Sequence, residues 1–205
     1  MTVRPLVLAS SSPYRRALLA RLGVDFETAS PDIDERPREG ELAADLAERL
    51  ARSKALALAQ RFPGHWIIGS DQVAALPDGS GLSKPGNHEN AFRQLARSSG
   101  RTVTFHTGLA LLDSATGTLT SLCEPYRVHF RDLSDDEIEH YLRTETPYDC
   151  AGSFRMEGLG ISLFSALEGR DPNSLVGLPL IALMDLLRDW GLDVLATAYR
   201  NSSRD

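Results

Sequence analysis

Near its start the chain reads Leu6-Val7-Leu8-Ala9-Ser10-Ser11-Ser12-Pro13-Tyr14-Arg15-Arg16-Ala17-Leu18-Leu19. The apolar run predicts a strand over Leu6–Ser10, and a helix is expected from Ser12 to Leu22, because serine is a good N-cap and proline a good first helical residue. Free N–H groups in the first helical turn form an anion site together with the serine hydroxyls. Two arginines in that turn oppose the helix dipole unless an anion lies nearby. The stretch predicts either a phosphate-binding cradle or a capped surface helix with two solvated arginines.

The composition limits the class of protein. The chain has 205 residues, 42% of them hydrophobic, which is enough for one large domain or two small ones with a real core. No apolar run approaches the roughly 20 residues of a membrane span, and Met1–Leu8 lacks the pattern of a signal peptide, so we expect a soluble, cytoplasmic protein. The net charge of −6 argues against broad nucleic-acid binding. Cys123 and Cys150 lack metal-ligand spacing and are expected to be reduced thiols.

Strand and helix patterns alternate along the chain, which predicts an α/β sheet with one inserted hairpin. The remaining predicted elements are, in order, a strand at Phe26–Ala29, a helix at Glu41–Phe62, a strand at Trp66–Asp71, a helix at His88–Arg97, a hairpin of Thr102–Asp113 and Leu119–Arg131, a helix from Ser134 to Arg143 and a last helix at Pro179–Trp190. Turn residues predict loops at Pro77–Gly86, Gly152–Gly160 and Leu167–Asn173. We expect a single domain over residues 1–198 and a disordered polar tail over residues 199–205.

Several polar side chains occupy positions that the fold alone does not require. Asp71 ends a buried strand, where the ligand sites of α/β sheets lie, although a carboxylate there is more often a turn residue or a cap. Lys54 replaces a leucine on the apolar stripe of its helix and Lys84 lies in a turn-rich loop, but either lysine could simply extend its ammonium to water. Taken with the two arginines, these lysines suit a polyphosphate. Carboxylates at Glu35 and Asp71 suit a hard cation such as Mg²⁺.

The opening stretch resembles the signature of the Maf nucleotide pyrophosphatases, and further landmarks of that family follow in order. They are Asp34-Glu35, Ala51-Arg52-Ser53-Lys54-Ala55, Ile68-Gly69-Ser70-Asp71, Lys84-Pro85, Ala151-Gly152-Ser153-Phe154 and Val176-Gly177-Leu178-Pro179. The resemblance implies a Maf/Ham1-like α/β fold, with a central mixed sheet flanked by helices and an inserted β-hairpin region. It also implies hydrolysis of nucleoside triphosphates to monophosphate and pyrophosphate, a divalent metal cation (Mg²⁺ or Mn²⁺), and a homodimer. The expected binding partner is a nucleoside triphosphate, and from charge and composition we expect neither a nucleic acid nor a membrane.

The same resemblance and the chemistry of the side chains give roles to individual residues. In enzymes of this family, the aspartate that matches Asp71 is the proton acceptor. Glu35 is expected to hold the metal together with Asp71, since carboxylates and substrate phosphates are the usual ligands of Mg²⁺. The residues expected to bind the triphosphate are Ser10, Ser12, Arg15, Arg16, Lys54 and Lys84.

Three positions resemble the branch of the family that hydrolyses 7-methyl-GTP, namely Tyr14, Gln72 and Glu157. Pyrimidine-directed members carry arginine, threonine and glutamine there, and a member of the 7-methyl-GTP branch has tryptophan in place of Tyr14. An ionised Glu157 only accepts hydrogen bonds, so it matches the two adjacent donors on the pairing edge of guanine. A purine methylated at N7 is cationic and favours an aromatic face such as that of Tyr14.

We therefore expect a pyrophosphatase that removes modified nucleotides by hydrolysing 7-methyl-GTP. Two alternatives stay open at this point. One is a pyrophosphatase for UTP, dTTP or other non-standard nucleotides, and the other is a nucleotide-binding regulator of cell division. It is also open whether Glu157 contacts the base or only pairs with Arg155 or Arg170.

Overall fold

The computed structural model of the protein describes residues 4–203, whose contacts group into two compact units. Among the described residues, the first unit comprises 4–72, 107–124 and 171–203, and the second unit comprises 73–106 and 125–170. The strands are β1 (Leu6–Ala9), β2 (Phe26–Ala29), β3 (Trp66–Ala75), β4 (Gly81–Leu82), β5 (Thr102–Asp113), β6 (Leu119–Phe130) and β7 (Phe164–Gly169). The helices are α1 (Pro13–Ala20), α2 (Ala43–Ala57), α3 (His88–Ser98), α4 (Asp135–Glu145), α5 (Asn173–Val176), α6 (Leu180–Asp189) and α7 (Val194–Ser202).

The first unit is a sheet with helices on both faces. Strand β1 lies between two parallel neighbours, so that Leu6 pairs with Phe26 of β2 and with Trp66 of β3. Alternate residues of β1 enter different cores, as the two-residue period of a strand requires. Leu6 packs with apolar side chains of α1 and α6, whereas Val7 packs with alanines of α2. The predicted α/β architecture is confirmed.

The second unit contains two antiparallel pairings and an aromatic core. In this unit β4 pairs with the end of β3, and β7 pairs with the end of β6. Phe105, Phe130, Phe154 and Phe164 pack edge to face, with ring centroids 4.8–5.8 Å apart. Helix α4 begins as predicted with a capping box, in which Ser134 and Glu137 each bond to the other's backbone N–H.

Helix α2 lies directly against the sheet at two glycines. A Cβ atom at Gly69 would lie 2.0 Å from the carbonyl oxygen of Ala51, and one at Gly108 would lie 2.1 Å from that of Ala47. Both alanines are fully buried. Since only small residues stand at this contact, the backbone of α2 reaches the strands, and Lys54 on the same helix is brought to the sheet.

Two sequence-based expectations about strands and loops are wrong. Strand β3 does not end at Asp71 but continues to Ala75, because its last residues pair with β4. The segment Leu167–Asn173 is not a loop throughout: its first residues belong to β7, an edge strand whose exposed polar side chains resemble those of a loop. The last residue of that segment, Asn173, begins α5.

The predicted disordered tail is also wrong over most of its length. Helix α7 continues to Ser202, so Pro179–Trp190 is not the last helix. The side chain of Asp193 caps α7 by accepting a hydrogen bond from the backbone N–H of Ala196, and Val194 is buried. Residues 204 and 205 lie outside the described residues. Helix α2 is shorter than predicted and ends at Ala57.

Two further sequence-based expectations concern cysteines and membranes. Cys123 and Cys150 are free thiols, and burial is the main reason that the pKa of Cys123 is raised to about 12 and that of Cys150 to about 11. Over residues 4–203, we find no helix with both the length and the apolar character needed to cross a membrane.

We expect Gly69→Ala to lower the free energy of unfolding by about 1–3 kcal/mol, because the added methyl group collides with a backbone carbonyl that cannot rotate away. Urea denaturation measures this loss. Gly81→Ala is the matched control, since the nearest atom to its Cβ would be the carbonyl oxygen of Ala74 at 3.9 Å. Equal losses in the two variants would contradict the close approach of α2.

Candidate active site

Lys54 lies at the centre of a charged group in the first unit. Its Nζ atom is 2.5 Å from Oδ1 of Asp71 and 2.7 Å from Oε1 of Glu35. Lys54 and Asp71 are 7% and 8% exposed, whereas the Glu35 side chain is 60% exposed. The lysine therefore does not extend its ammonium to bulk water. It joins a buried carboxylate on β3 to a carboxylate in the loop that follows β2.

Two of the three serines before α1, Ser10 and Ser12, form hydrogen bonds within the local structure. Ser10 Oγ accepts a hydrogen bond from the backbone N–H of Ser12 at 3.1 Å, and Ser12 Oγ accepts from that of Arg15 at 3.3 Å. The N–H of Arg16 donates to the carbonyl oxygen of Ser12. The N–H of Arg15 is therefore not free for an anion, contrary to the expectation, whereas that of Arg16 makes the usual bond within the helix. Each serine retains its O–H as a donor, so a phosphate would meet hydroxyls and charged side chains here.

Arg15 is held by a backbone carbonyl. Its Nε atom donates to the carbonyl oxygen of Gly177 at 2.7 Å, and the same oxygen accepts from Ser70 Oγ at 2.8 Å. Gly177 has a φ of +114°, and a Cβ there would lie 3.1 Å from Arg15 Nε. Burial lowers the pKa of the Arg15 guanidinium, and the negative charges of Asp71 and Glu35 partly offset this effect. Since arginine stays protonated in proteins, Arg15 provides a fixed positive charge.

Gln72 is tied to the main chain of α5. Its Nε2 atom lies 2.7 Å from the carbonyl oxygen of Ser174, 3.1 Å from that of Leu175 and 3.2 Å from Thr107 Oγ1. Thr107 Oγ1 itself donates to the carbonyl oxygen of Ser174. Gln72 was predicted to act in base selection, but its amide nitrogen already donates to backbone carbonyls of α5.

Three consecutive residues of β3 form hydrogen bonds in two alternating directions. Ser70 and Gln72 bond to the α5 segment, whereas Asp71 between them bonds to Lys54 of α2. This is the alternation expected along a strand. The polar run of these three residues inside an otherwise apolar strand is the signal that would have identified Ser70, which sequence reasoning missed.

Asp171 was also missed, although it fixes the α5 segment. Its side chain is fully buried, with Oδ1 accepting from the backbone N–H of Asn173 and Oδ2 from that of Ile181, both at 2.8 Å. Aspartate before Pro172 and Asn173 is a turn signal that points to such a structure. The carbonyl groups that hold Arg15 and Gln72 thus belong to a firmly braced turn.

The other predicted site residues lie on exposed or half-buried surfaces of their own units. In the first unit, Tyr14 is half-buried and Arg16 exposed, both on α1. In the second unit, Lys84 is exposed in the loop between β4 and α3, and Glu157 is exposed in a turn. Arg155, named as a rival partner for Glu157, forms an ion pair with Asp149 at 3.5 Å.

The predicted metal ligands fit a cation that is shared with a substrate. Oxygens of Glu35 and Asp71 contact the same ammonium and therefore lie no more than about 5 Å apart. Within residues 4–203, no group of three or more His, Cys, Asp or Glu side chains could hold a metal by itself. Mg²⁺ is commonly bound by one or two carboxylates, waters and substrate phosphates, and the pair matches that ligand set.

Comparisons with known proteins cover nearly the whole chain. A family model described as Maf-like protein matches residues 5–190. A 7-methyl-GTP pyrophosphatase of Pseudomonas syringae pv. tomato is 59% identical over 189 residues, which is 92% of this chain and 98% of that protein. A 7-methyl-GTP pyrophosphatase of Pseudomonas aeruginosa is 57% identical with the same coverage.

Two solved structures show a weaker likeness. A nucleoside-triphosphatase (dITP/XTP pyrophosphatase) of Mycobacterium abscessus has a TM-score of 0.40 at 20% identity, covering 63% of this chain and 75% of that one. A HAM1 protein from Coxiella burnetii has a TM-score of 0.44 at 16% identity, covering 62% and 73%.

We expect Lys54→Met to lower the free energy of unfolding by about 3–5 kcal/mol, because Asp71 is left buried without its cation. The double variant Lys54→Met/Asp71→Asn is expected to recover part of that loss, since the remaining group is neutral. Urea denaturation of both variants measures the difference. Arg52→Met, an exposed position on the same helix, is the control and should change stability by less than about 0.5 kcal/mol. A double variant no more stable than Lys54→Met would contradict the buried ion pair.

Proposed function

Because this chain belongs to the family of Maf-like proteins, we propose that it is a nucleoside triphosphate pyrophosphatase that hydrolyses 7-methyl-GTP to 7-methyl-GMP and pyrophosphate. The observation that carries this proposal is its close identity to two 7-methyl-GTP pyrophosphatases along almost their full length. We propose that it acts in the cytoplasm, where it removes modified nucleotides, and that it forms the homodimer that the sequence resemblance implies.

The charged group around Lys54 supports a role for Asp71 in the chemistry. Water attacks the α-phosphorus, the bond from that phosphorus to the bridging oxygen breaks, and pyrophosphate leaves. Asp71 accepts the proton of the attacking water, as a general base must lie within reach of the proton that it removes. Lys54 fixes the orientation of this carboxylate. An ammonium has three N–H donors, so after two carboxylate contacts one donor remains for a phosphate oxygen.

The remaining residues of the first unit bind the triphosphate and the metal. Arg15 is oriented before substrate arrives by its bond to Gly177, and such preorganised charge stabilises the leaving group without rearrangement. The other phosphate-binding residues proposed in this unit are Ser10, Ser12, Arg16 and Lys54, and Lys84 of the second unit is proposed to bind phosphate as well. Glu35 and Asp71 would hold Mg²⁺ or Mn²⁺, and the cation would neutralise charge on the phosphates.

Base selection is proposed to depend on Tyr14, Gln72 and Glu157, by different routes. Tyr14 provides an aromatic face for a cationic base, and Glu157 accepts from the pairing edge of guanine. The amide nitrogen of Gln72 is occupied by the backbone of α5. We therefore propose that Gln72 acts on selectivity by fixing α5, and that its amide nitrogen does not donate to the base.

The substrate is tested by measuring pyrophosphate release from 7-methyl-GTP, GTP, UTP, dTTP and ITP, with and without Mg²⁺ or Mn²⁺. We expect the highest kcat/KM for 7-methyl-GTP and activity only with a divalent cation. Preference for UTP or dTTP would overturn the proposed selectivity. Tight nucleotide binding without pyrophosphate release would instead favour a regulator that only binds nucleotides.

The role of Asp71 is tested by Asp71→Asn. We expect kcat for 7-methyl-GTP to fall about 10²–10⁴-fold, because a positioned general base contributes about that much. Asp45→Asn is the control, since Asp45 is an exposed carboxylate of α2 in the same unit. Turnover near the wild-type rate in Asp71→Asn would remove Asp71 from the mechanism.

A further inference from the structure

The side-chain amide of Gln94 connects two loops of the second unit. Its Nε2 atom donates to the carbonyl oxygen of Ser83 at 3.0 Å, and its Oε1 atom accepts from Ser153 Oγ at 2.7 Å. Gln94 lies on α3, half-buried. Ser83 precedes Lys84, and Ser153 precedes the turn that carries Glu157. The orientation of the amide is fixed by chemistry, because the carbonyl oxygen of Ser83 can only accept.

The loop that carries Lys84 is held on both sides of this residue. The carbonyl oxygen of Ser83 is bonded to Gln94, and that of Pro85 accepts from Asn90 Nδ2 at 2.9 Å. Both donors belong to α3, so this helix determines where the backbone of Lys84 lies. The Lys84 side chain itself is exposed and extends from an anchored backbone.

Ser153 holds a backbone conformation that favours glycine. Its φ is +63°, and it is fully buried. A non-glycine residue persists in this region only where its surroundings hold it. The bond from Ser153 Oγ to Gln94 provides such a restraint, at the start of the segment that leads to Glu157. Beyond that segment, the N–H of Leu159 donates to Oε1 of Glu145 on α4, so the turn is anchored on both sides.

We propose that Gln94 is a positioning residue that sets two elements of substrate recognition through one amide. Its nitrogen positions the Lys84 loop, which binds phosphate, and its oxygen positions the Glu157 turn, which reads the base. No other uncharged side chain except asparagine offers a donor and an acceptor in this planar arrangement, and asparagine is shorter by one methylene. The inference rests on the proposed function, because the roles of Lys84 and Glu157 do.

The two halves of the connection can be broken separately. Gln94→Glu keeps the acceptor for Ser153 and loses the donor to Ser83. Ser153→Ala keeps the bond to Ser83 and loses the bond to Ser153 Oγ. GTP and ITP differ only in the 2-amino group of the base, so the ratio of their kcat/KM values reports the contact of Glu157 with guanine. The KM values for both nucleotides report phosphate binding.

We expect Gln94→Glu to raise KM about fivefold for GTP and ITP alike and to leave the ratio of their kcat/KM values unchanged. We expect Ser153→Ala to lower that ratio about fivefold, with a smaller effect on the KM for ITP. Ser99→Ala controls for loss of a half-buried hydroxyl that bonds to Leu133 in a different loop, and Gln60→Glu controls for added charge at an exposed position. Both controls should match the wild type in KM and ratio.

Second variants keep the test decisive where a first one fails to fold. Asn90→Asp removes the donor to Pro85 and should raise KM as Gln94→Glu does. Ser153→Gly removes the hydroxyl at a φ that glycine adopts freely, and should lower the ratio as Ser153→Ala does. Folded variants with wild-type KM and ratio, beside an active wild type, would overturn the role of Gln94 and leave the proposed function standing. A wild type that releases no pyrophosphate from any nucleotide would overturn the proposed function itself.

Discussion

The site in the first unit depends on a buried ammonium held between two carboxylates. Lys54 can occupy that position only because α2 lies against the sheet, and α2 can do so only because glycine and alanine stand at the contact. A buried lysine is costly unless it is paired, and Asp71 provides the pair. One charge interaction thus links the packing of a helix, the placement of a carboxylate and the charge of the candidate site.

The architecture could be predicted from the sequence because its signals are local. The serine before α1 with the proline that begins it, the capping box of α4 and the apolar strands each specify their element without help from distant residues. The failures have a shared cause. Strand β7 is an edge strand with exposed polar side chains, and α7 is a short helix with one buried residue, so neither carries a clear apolar period. Strand β7 is defined by its backbone pairing with β6, and α7 by the cap at Asp193. The pairing depends on a strand that is distant in sequence, and the cap depends on the local backbone geometry.

The sequence singled out the two central residues of the charged group, but it did not predict the hydrogen-bond partners of the neighbouring side chains. A lysine on an apolar stripe and a carboxylate in a buried strand both departed from the local pattern, and the structure brings those two together. Ser70 was missed, and Gln72 was predicted to act in base selection rather than in bonding to the main chain. The partners of both are backbone carbonyls of a turn about 100 residues away. Backbone acceptors carry no sequence signature, and only the fold determines which carbonyl faces which strand.

The alternation of side chains along β3 separates the contacts of Asp71 from those of Ser70 and Gln72. Asp71 bonds to Lys54 on one side of the strand, while Ser70 and Gln72 bond to backbone carbonyls of a turn on the other. A change at position 72 can therefore reshape the turn and leave the neighbouring carboxylate with the same partner. Under the proposed function, a substitution at position 72 would alter nucleotide preference while the ion pair of Asp71 stays in place. This separation of the two sets of contacts follows from the two-residue period of an extended chain.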